Sequence, residues 1–168
     1  CIVVAGGTPG TDDPMYEYTQ GKPKALLDME GRTMLERVMD ALQTAEIVDR
    51  IVVVGLGSDM GMQFLRPVDK HLHDQGSMVA NVLAGLEWLR QDRPDIATVL
   101  FCTSDIPTIT GPIVDEYVDM CRPFDKGMYY ILVTPEAMEA RFPDSERTYV
   151  KFKGVEAAGG DMAVTRVE

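Results

Sequence analysis

The chain is expected to fold as an α/β protein around a mainly parallel sheet. Three observations carry this. Short β-branched runs end on glycine or on a small polar turn. Apolar residues at helical spacing follow each run. The two kinds of segment then alternate along most of the 168 residues. Residues 2–5, Ile-Val-Val-Ala, read as the first strand. Met34, Leu35, Val38, Met39 and Leu42 recur one turn apart and predict a helix over residues 33–44. Thr33 is placed to cap it, with Glu36 completing a capping box. Residues 51–55, Ile-Val-Val-Val-Gly, predict a buried strand. Ser77 precedes a second helical pattern in which Met78, Val82, Leu86 and Leu89 share a face. Residues 98–102 form a third strand, closed by Thr103-Ser104-Asp105. Pro112 suits the first position of a third helix carrying Ile113, Tyr117, Val118 and Cys121. Residues 128–133 read as a fourth strand, 135–141 as a short helix and 149–152 as a further strand.

The formal net charge of -11 argues against a nucleic-acid polymer as partner, because phosphate contacts need a basic face. It leaves room for a small phosphorylated substrate, since a lysine pair and a divalent cation reverse the field inside one cleft. No apolar run approaches the roughly 20 residues that span a bilayer. No signal peptide is recognised, and no membrane partner is expected. Cys1, Cys102 and Cys121 lack metal-ligand spacing and read as free thiols, so the expected location is the cytoplasm. His71 and His73, the only histidines, read as solvated surface residues.

In an open parallel sheet, ligands bind beyond the carboxyl ends of the strands. Gly6-Gly7, Gly55-Leu56-Gly57 and Asp105 fall there. Glycines after a buried strand let backbone N–H groups approach phosphate or base edges; the plainer reading is a tight turn. Neither the G-x-G-x-x-G fingerprint nor a P-loop is present. The polar loop over residues 8–21 is long for a compact domain, and such loops are usually functional or mobile. It ends at Lys22-Pro23-Lys24, two cations that suit a triphosphate or simply form a solvated turn. Asp105 is placed to hold Mg²⁺ or to shape a turn. Gly159-Gly160-Asp161 reads as a further turn. Arg147 before the last predicted strand and Lys151 within it face either an anionic acceptor or only solvent.

Taken in order, "VVAGG", "KPKALLDMEGRTMLERVMDAL", "SDIP" and "GGD" resemble the MobA-like NTP transferases, relatives of sugar-1-phosphate nucleotidyltransferases and molybdenum-cofactor guanylyltransferases. The resemblance covers nearly the whole chain. It implies a three-layer α/β/α, GT-A-like nucleotide-diphospho-sugar transferase fold with a mainly parallel mixed sheet. One such domain is expected over residues 1–168, which starts at Cys1 without a Met and is read as trimmed at one or both ends. The implied activity is Mg²⁺-dependent transfer of an NMP group from an NTP to a small phosphorylated acceptor, a sugar phosphate or cofactor precursor, with release of pyrophosphate. Ala5, Gly6, Gly7, Lys22, Lys24, Gly76, Ser77 and Asn81 would bind the nucleotide. Lys24 and Asp105 would be catalytic, and Asp105 and Asp161 would hold the metal. The family's arginine in the loop after the glycines is missing, and Asp12 and Asp13 stand there instead. Two other readings stay open: a non-catalytic nucleotide- or sugar-nucleotide-binding domain of the same fold, and a flavodoxin- or Rossmann-like dinucleotide protein.

Overall fold

A computed structural model describes residues 1–145 and 147–167. The elements in chain order are β1 (Ile2–Val4), α1 (Tyr16–Thr19), α2 (Met34–Thr44), β2 (Val52–Val54), β3 (Lys70–Leu72), α3 (Met78–Asp92) and β4 (Thr98–Thr103). They continue with α4 (Gly111–Met120), β5 (Met128–Val133), α5 (Pro135–Arg141), β6 (Val150–Phe152) and β7 (Val155–Arg166). The sheet runs β3-β2-β1-β4-β7-β5, with β6 joined to β7 as a hairpin. β1 pairs in parallel with β2 and β4, and β2 with β3. β7 pairs antiparallel with β4, β5 and β6, so it alone runs against the other strands. The mixed, mostly parallel sheet expected from the motifs is the one observed.

The β-branched strands are buried on both faces because helices cover both. On one face, Leu35, Val38, Met39 and Leu42 of α2 and Val114 and Val118 of α4 pack on Val3, Val53, Leu100 and Cys102. On the other, Leu89 of α3, with Val82, Leu86 and Trp88, packs on Ile2, Val4, Val52, Val54 and Val99. The first turn of α2 follows its sequence signal. Thr33 Oγ1 accepts from Glu36 N at 3.2 Å, and Glu36 Oε2 accepts from Thr33 N at 2.7 Å. Glu36 is buried, and its Oε1 takes Gln63 N at 2.6 Å, tying the loop after β2 to this helix. Burial pushes the Glu36 carboxyl up, but the Gln63 and Thr33 donors outweigh it and hold the group below its ordinary value.

Four sequence expectations change. The buried line of α3 is Asn81, Gly85 and Leu89; Met78 is 58% exposed. The helix turns that way because Gly85 lies against Ile2, whose Cγ2 would stand 2.8 Å from an added Cβ. On α4, Ile113 faces outward and Val114 is buried instead. His71 lies half-buried on β3, with Nδ1 3.1 Å from Leu56 O and its ring stacked on Phe64. Gly159-Gly160-Asp161 is no turn but the middle of β7. A Cβ on Gly160 would stand 2.7 Å from Ile131 Cβ and 3.3 Å from its carbonyl oxygen on β5, so close packing of these strands favours glycine there. None of the described helices is long and apolar enough to cross a membrane.

Candidate active site

Where β1 and β4 end, with the loop entering α3 beside them, an open cleft of about 310 Å³ forms. Gly6, Gly7, Lys24, Gly76, Ser77, Asn81 and Asp105 line it, together with Val4, Ala25, Asp74, Met78, Thr103 and Ser104. Seven of the ten residues that the sequence marks for the site therefore share one surface. Ala5 is buried beneath the glycines, its N–H bonded to Val54 O at 2.8 Å. Lys22 is exposed outside the cleft, and Asp161 is half-buried on β7.

The glycine loop is shaped from below and from the side. Gly55 takes φ +114°, where an L side chain is strained, and a Cβ there would run into the Gly6 backbone. A Cβ on Gly6 would stand 2.8 Å from Asp74 Oδ1 and 2.9 Å from Asn81 Nδ2. Asn81 is buried, and both ends of its amide are engaged: Nδ2 donates to Asp74 Oδ1 at 2.9 Å and Oδ1 accepts from Gln75 N at 2.7 Å. Ser77 Oγ caps α3 by accepting from Ala80 N at 3.2 Å, so this helix directs its positive end to the cleft. Asp74 was not singled out from the sequence. An acid three residues before a helix cap looks like any turn acid, and only the fold brings it over Gly6.

Lys24 opens a short 3-10 turn, Lys24–Leu26, whose Ala25 is buried in the core. Pro23 precedes the turn with extended backbone (ψ 135°), and Leu26 N closes it on Pro23 O at 3.0 Å. Lys24 Nζ lies 3.5 Å from Asp105 Oδ2, with both side chains about two-fifths exposed. Asp13 accepts from Met15 N at 2.8 Å and leads the chain into α1, so one of the two acids in the first loop serves a turn.

Asp161 is the electrostatically tense member. Burial raises its carboxyl above the ordinary value and the Asp105 charge adds to this, while Arg147 and Lys24 oppose it. Arg147, left open between acceptor contact and surface charge, donates from Nη2 to Gly159 O at 2.9 Å, two residues from Asp161. Burial, with Asp161 and Asp105 next, pushes the Cys102 thiol up to about 12, so it stays protonated and is no nucleophile. Thr103 Oγ1 is buried without a partner on the cleft wall. Among the described residues no group of three or more His, Cys, Asp or Glu could hold a metal.

The raised carboxyl predicts a pH-dependent trade. Its ionised form is disfavoured in the folded chain, so the penalty is absent below the ordinary carboxylate range and grows as pH rises through it. Asp161→Asn is expected to stabilise the protein at neutral pH by about 1 kcal/mol or less after solvent screening. The gain should shrink toward pH 4, as read by denaturant unfolding at both pH values. A variant less stable than wild type at neutral pH would contradict this picture.

Comparison with known proteins places these observations. The family model of the MobA-like NTP transferase domain matches residues 1–139. A hypothetical transferase from Thermus thermophilus is 30% identical, with a TM-score of 0.74, over 98% of this chain and 64% of that one. This chain thus spans less than two-thirds of that relative's length. The 2-C-methyl-D-erythritol 4-phosphate cytidylyltransferase of Francisella tularensis superposes with a TM-score of 0.65 at 11% identity, over 98% of this chain and 71% of its own. A CMP:2-keto-3-deoxy-manno-octonic acid synthetase solved with CTP does so at 0.61 and 14%, over 98% and 73%. These two share the fold. With the family model covering most of its length, the chain belongs to the MobA-like NTP transferase family.

Proposed function

We propose that the cleft binds an NTP and transfers its NMP group to a small phosphorylated acceptor, releasing pyrophosphate. The observation that carries this reading is the Lys24–Asp105 pair, 3.5 Å apart, facing the glycine loop in one cleft. Lys24 neutralises charge that gathers on the β- and γ-phosphates. The Gly6–Gly7 backbone and the N-terminus of α3 offer N–H groups to the nucleotide. An acceptor phosphate oxygen attacks the α-phosphorus and forms a new P–O bond. The bond from the α-phosphorus to the bridging oxygen breaks, and its electron pair leaves with pyrophosphate. Such a nucleophile is already ionised, so positioning and charge neutralisation suffice. In keeping with this, neither His nor Cys lines the cleft.

The residues fit Mg²⁺. Asp105 and Asp161 repel one another across a half-buried space, a tension that a divalent cation relieves. Two carboxylates with water and phosphate oxygens completing the shell are what Mg²⁺ accepts. Asp105 and Asp161 would hold the ion, which when bound neutralises the α-phosphate and the attacking group. The CTP-bound neighbour supports a nucleotide in a cleft of this fold.

One observation favours a second reading: the loop after the glycines carries Asp12 and Asp13 and no cation, as in a domain that binds a nucleotide without turning it over. Metal-dependent pyrophosphate release, assayed with each NTP against a panel of sugar phosphates and phosphorylated cofactor precursors, separates the two. Release with one pairing is expected. Nucleotide binding without release from any pairing would favour the binding domain.

A further inference from the structure

We propose that Thr103 is a positioning residue for the metal site: its buried hydroxyl donates to the Asp161 carboxylate and orients it toward Asp105 in the loaded cleft. The inference rests on the reading of Asp105 and Asp161 as the metal's ligands and adds the residue that stands behind them. Sheet register gives the placement. β4 and β7 pair antiparallel, with Cys102 opposite Met162. One step further, Thr103 at the end of β4 comes opposite Asp161 of β7. Side chains alternate between the two faces along each strand. Cys102 and Met162 both pack in the core beneath α2 and α4. Thr103 and Asp161 therefore share the other face, where Val99 and Phe101 of β4 meet α3. Directly opposed residues of an antiparallel pair have Cβ atoms about 4.5–5.5 Å apart. At that spacing a threonine hydroxyl reaches an aspartate carboxylate by side-chain rotation alone. Asp105 follows two residues later and lines the same cleft as Thr103.

Each member of this pair is short of a partner. Thr103 Oγ1 is shut off from solvent and finds no hydrogen-bond partner among the described residues. An unpaired buried hydroxyl is destabilising, and a valine of the same shape avoids that cost. Packing alone therefore gives no reason for a hydroxyl at the end of β4. Asp161 is half-buried, and Arg147 and Lys24 act on it through charge. A carboxylate that gives one oxygen to a metal is fixed by a donor on the other, and such outer partners set much of the metal affinity. Thr103 is placed to be that donor. In the resting chain the bond is not made. Asp161 makes it by turning toward Asp105, so one rotation pairs the hydroxyl and aims the carboxylate.

The probe is Mn²⁺ alone, titrated into the millimolar range against wild type, Thr103→Val, Thr103→Ser and Asp105→Ala. Electron paramagnetic resonance reads the free ion, and denaturant unfolding of the same proteins without metal runs beside it. Thr103→Val keeps the side-chain shape and removes only the hydroxyl. It should unfold at the wild-type midpoint or above, because the unpaired group is gone. It should nevertheless bind Mn²⁺ at least about tenfold more weakly. Thr103→Ser keeps the donor and should bind within about threefold of wild type. A threonine with only a structural role would do the reverse, losing stability in Thr103→Val and leaving Mn²⁺ affinity unchanged. That result, or equal weakening in the Ser and Val variants, would overturn the inference. Loss of Mn²⁺ binding in Asp105→Ala would then leave the metal assignment standing. Absence of Mn²⁺ binding by wild type would overturn both.

Discussion

Asp105→Ala is expected to lower metal-dependent pyrophosphate release by about 10³-fold while leaving the fold intact. The two halves of this expectation have separate causes. For stability, the Asp105 side chain is 38% exposed, and its ion pair with Lys24 is of the solvent-screened kind. Such pairs contribute about 0–1 kcal/mol. Removing Asp105 also relieves its repulsion of Asp161, which offsets part of that loss. For turnover, the same deletion leaves Asp161 alone of the two carboxylates proposed to hold the metal. On that proposal a cation would keep one protein ligand in place of two. Steady-state release assays beside a denaturation curve read both halves. Turnover within tenfold of wild type in a folded Asp105→Ala protein would remove Asp105 from the metal site.

The second large effect separates two lysines that lie two positions apart, on either side of Pro23. Lys24→Ala should cut turnover by about 10²-fold or more. Lys22→Ala should change it by about threefold at most, the scale of a screened surface charge. The sequence places both beside Pro23 and leaves their roles unequal only by resemblance. The fold separates them physically. Buried Ala25 anchors the 3-10 turn that holds Lys24 at the cleft. Lys22 follows Gln20 and Gly21, both at positive φ, and ends on the outside, its N–H bonded to Thr19 O at 2.9 Å. Equal losses in kcat/KM for the two variants would mean that the exposed turn moves onto the nucleotide and that the resting geometry misleads.

What could be read from residues alone follows the strength of the local signals. The capping box at Thr33 and Glu36 and the β-branched runs at residues 2–4 and before Gly55 are short-range and unambiguous, and they set β1, α2 and β2 correctly. β3 was invisible because Lys-His-Leu lacks both β-branched residues and a second apolar position; it exists because β2 offers it a parallel edge. The glycine pair in β7 misled for the opposite reason. Glycines disfavour strands in general, but here Gly160 lies against Ile131 Cβ, where a side chain would crowd β5. The site shows the same division. Residues adjacent to strand ends were legible, whereas Asp74 became meaningful only when the β3 loop closed over Gly6. Asn81 lines the cleft as expected, yet its amide is spent on Asp74 and Gln75. Helix registers went astray where one close contact, Gly85 on Ile2, rotated the face by a residue.

A nucleotide held in this cleft together with a metal on Asp105 would stabilise the folded chain. Thermal unfolding of wild type and Asp105→Ala with ATP, GTP, CTP and UTP, each with and without Mg²⁺, tests it most directly. A ligand at a hundredfold its Kd adds about 2.7 kcal/mol of stability. For a chain of this size that is a shift of roughly 5–10 °C. Such a shift is expected for at least one NTP in wild type, dependent on Mg²⁺ and lost in Asp105→Ala. No shift with any NTP, or one that survives without metal and without Asp105, would contradict it.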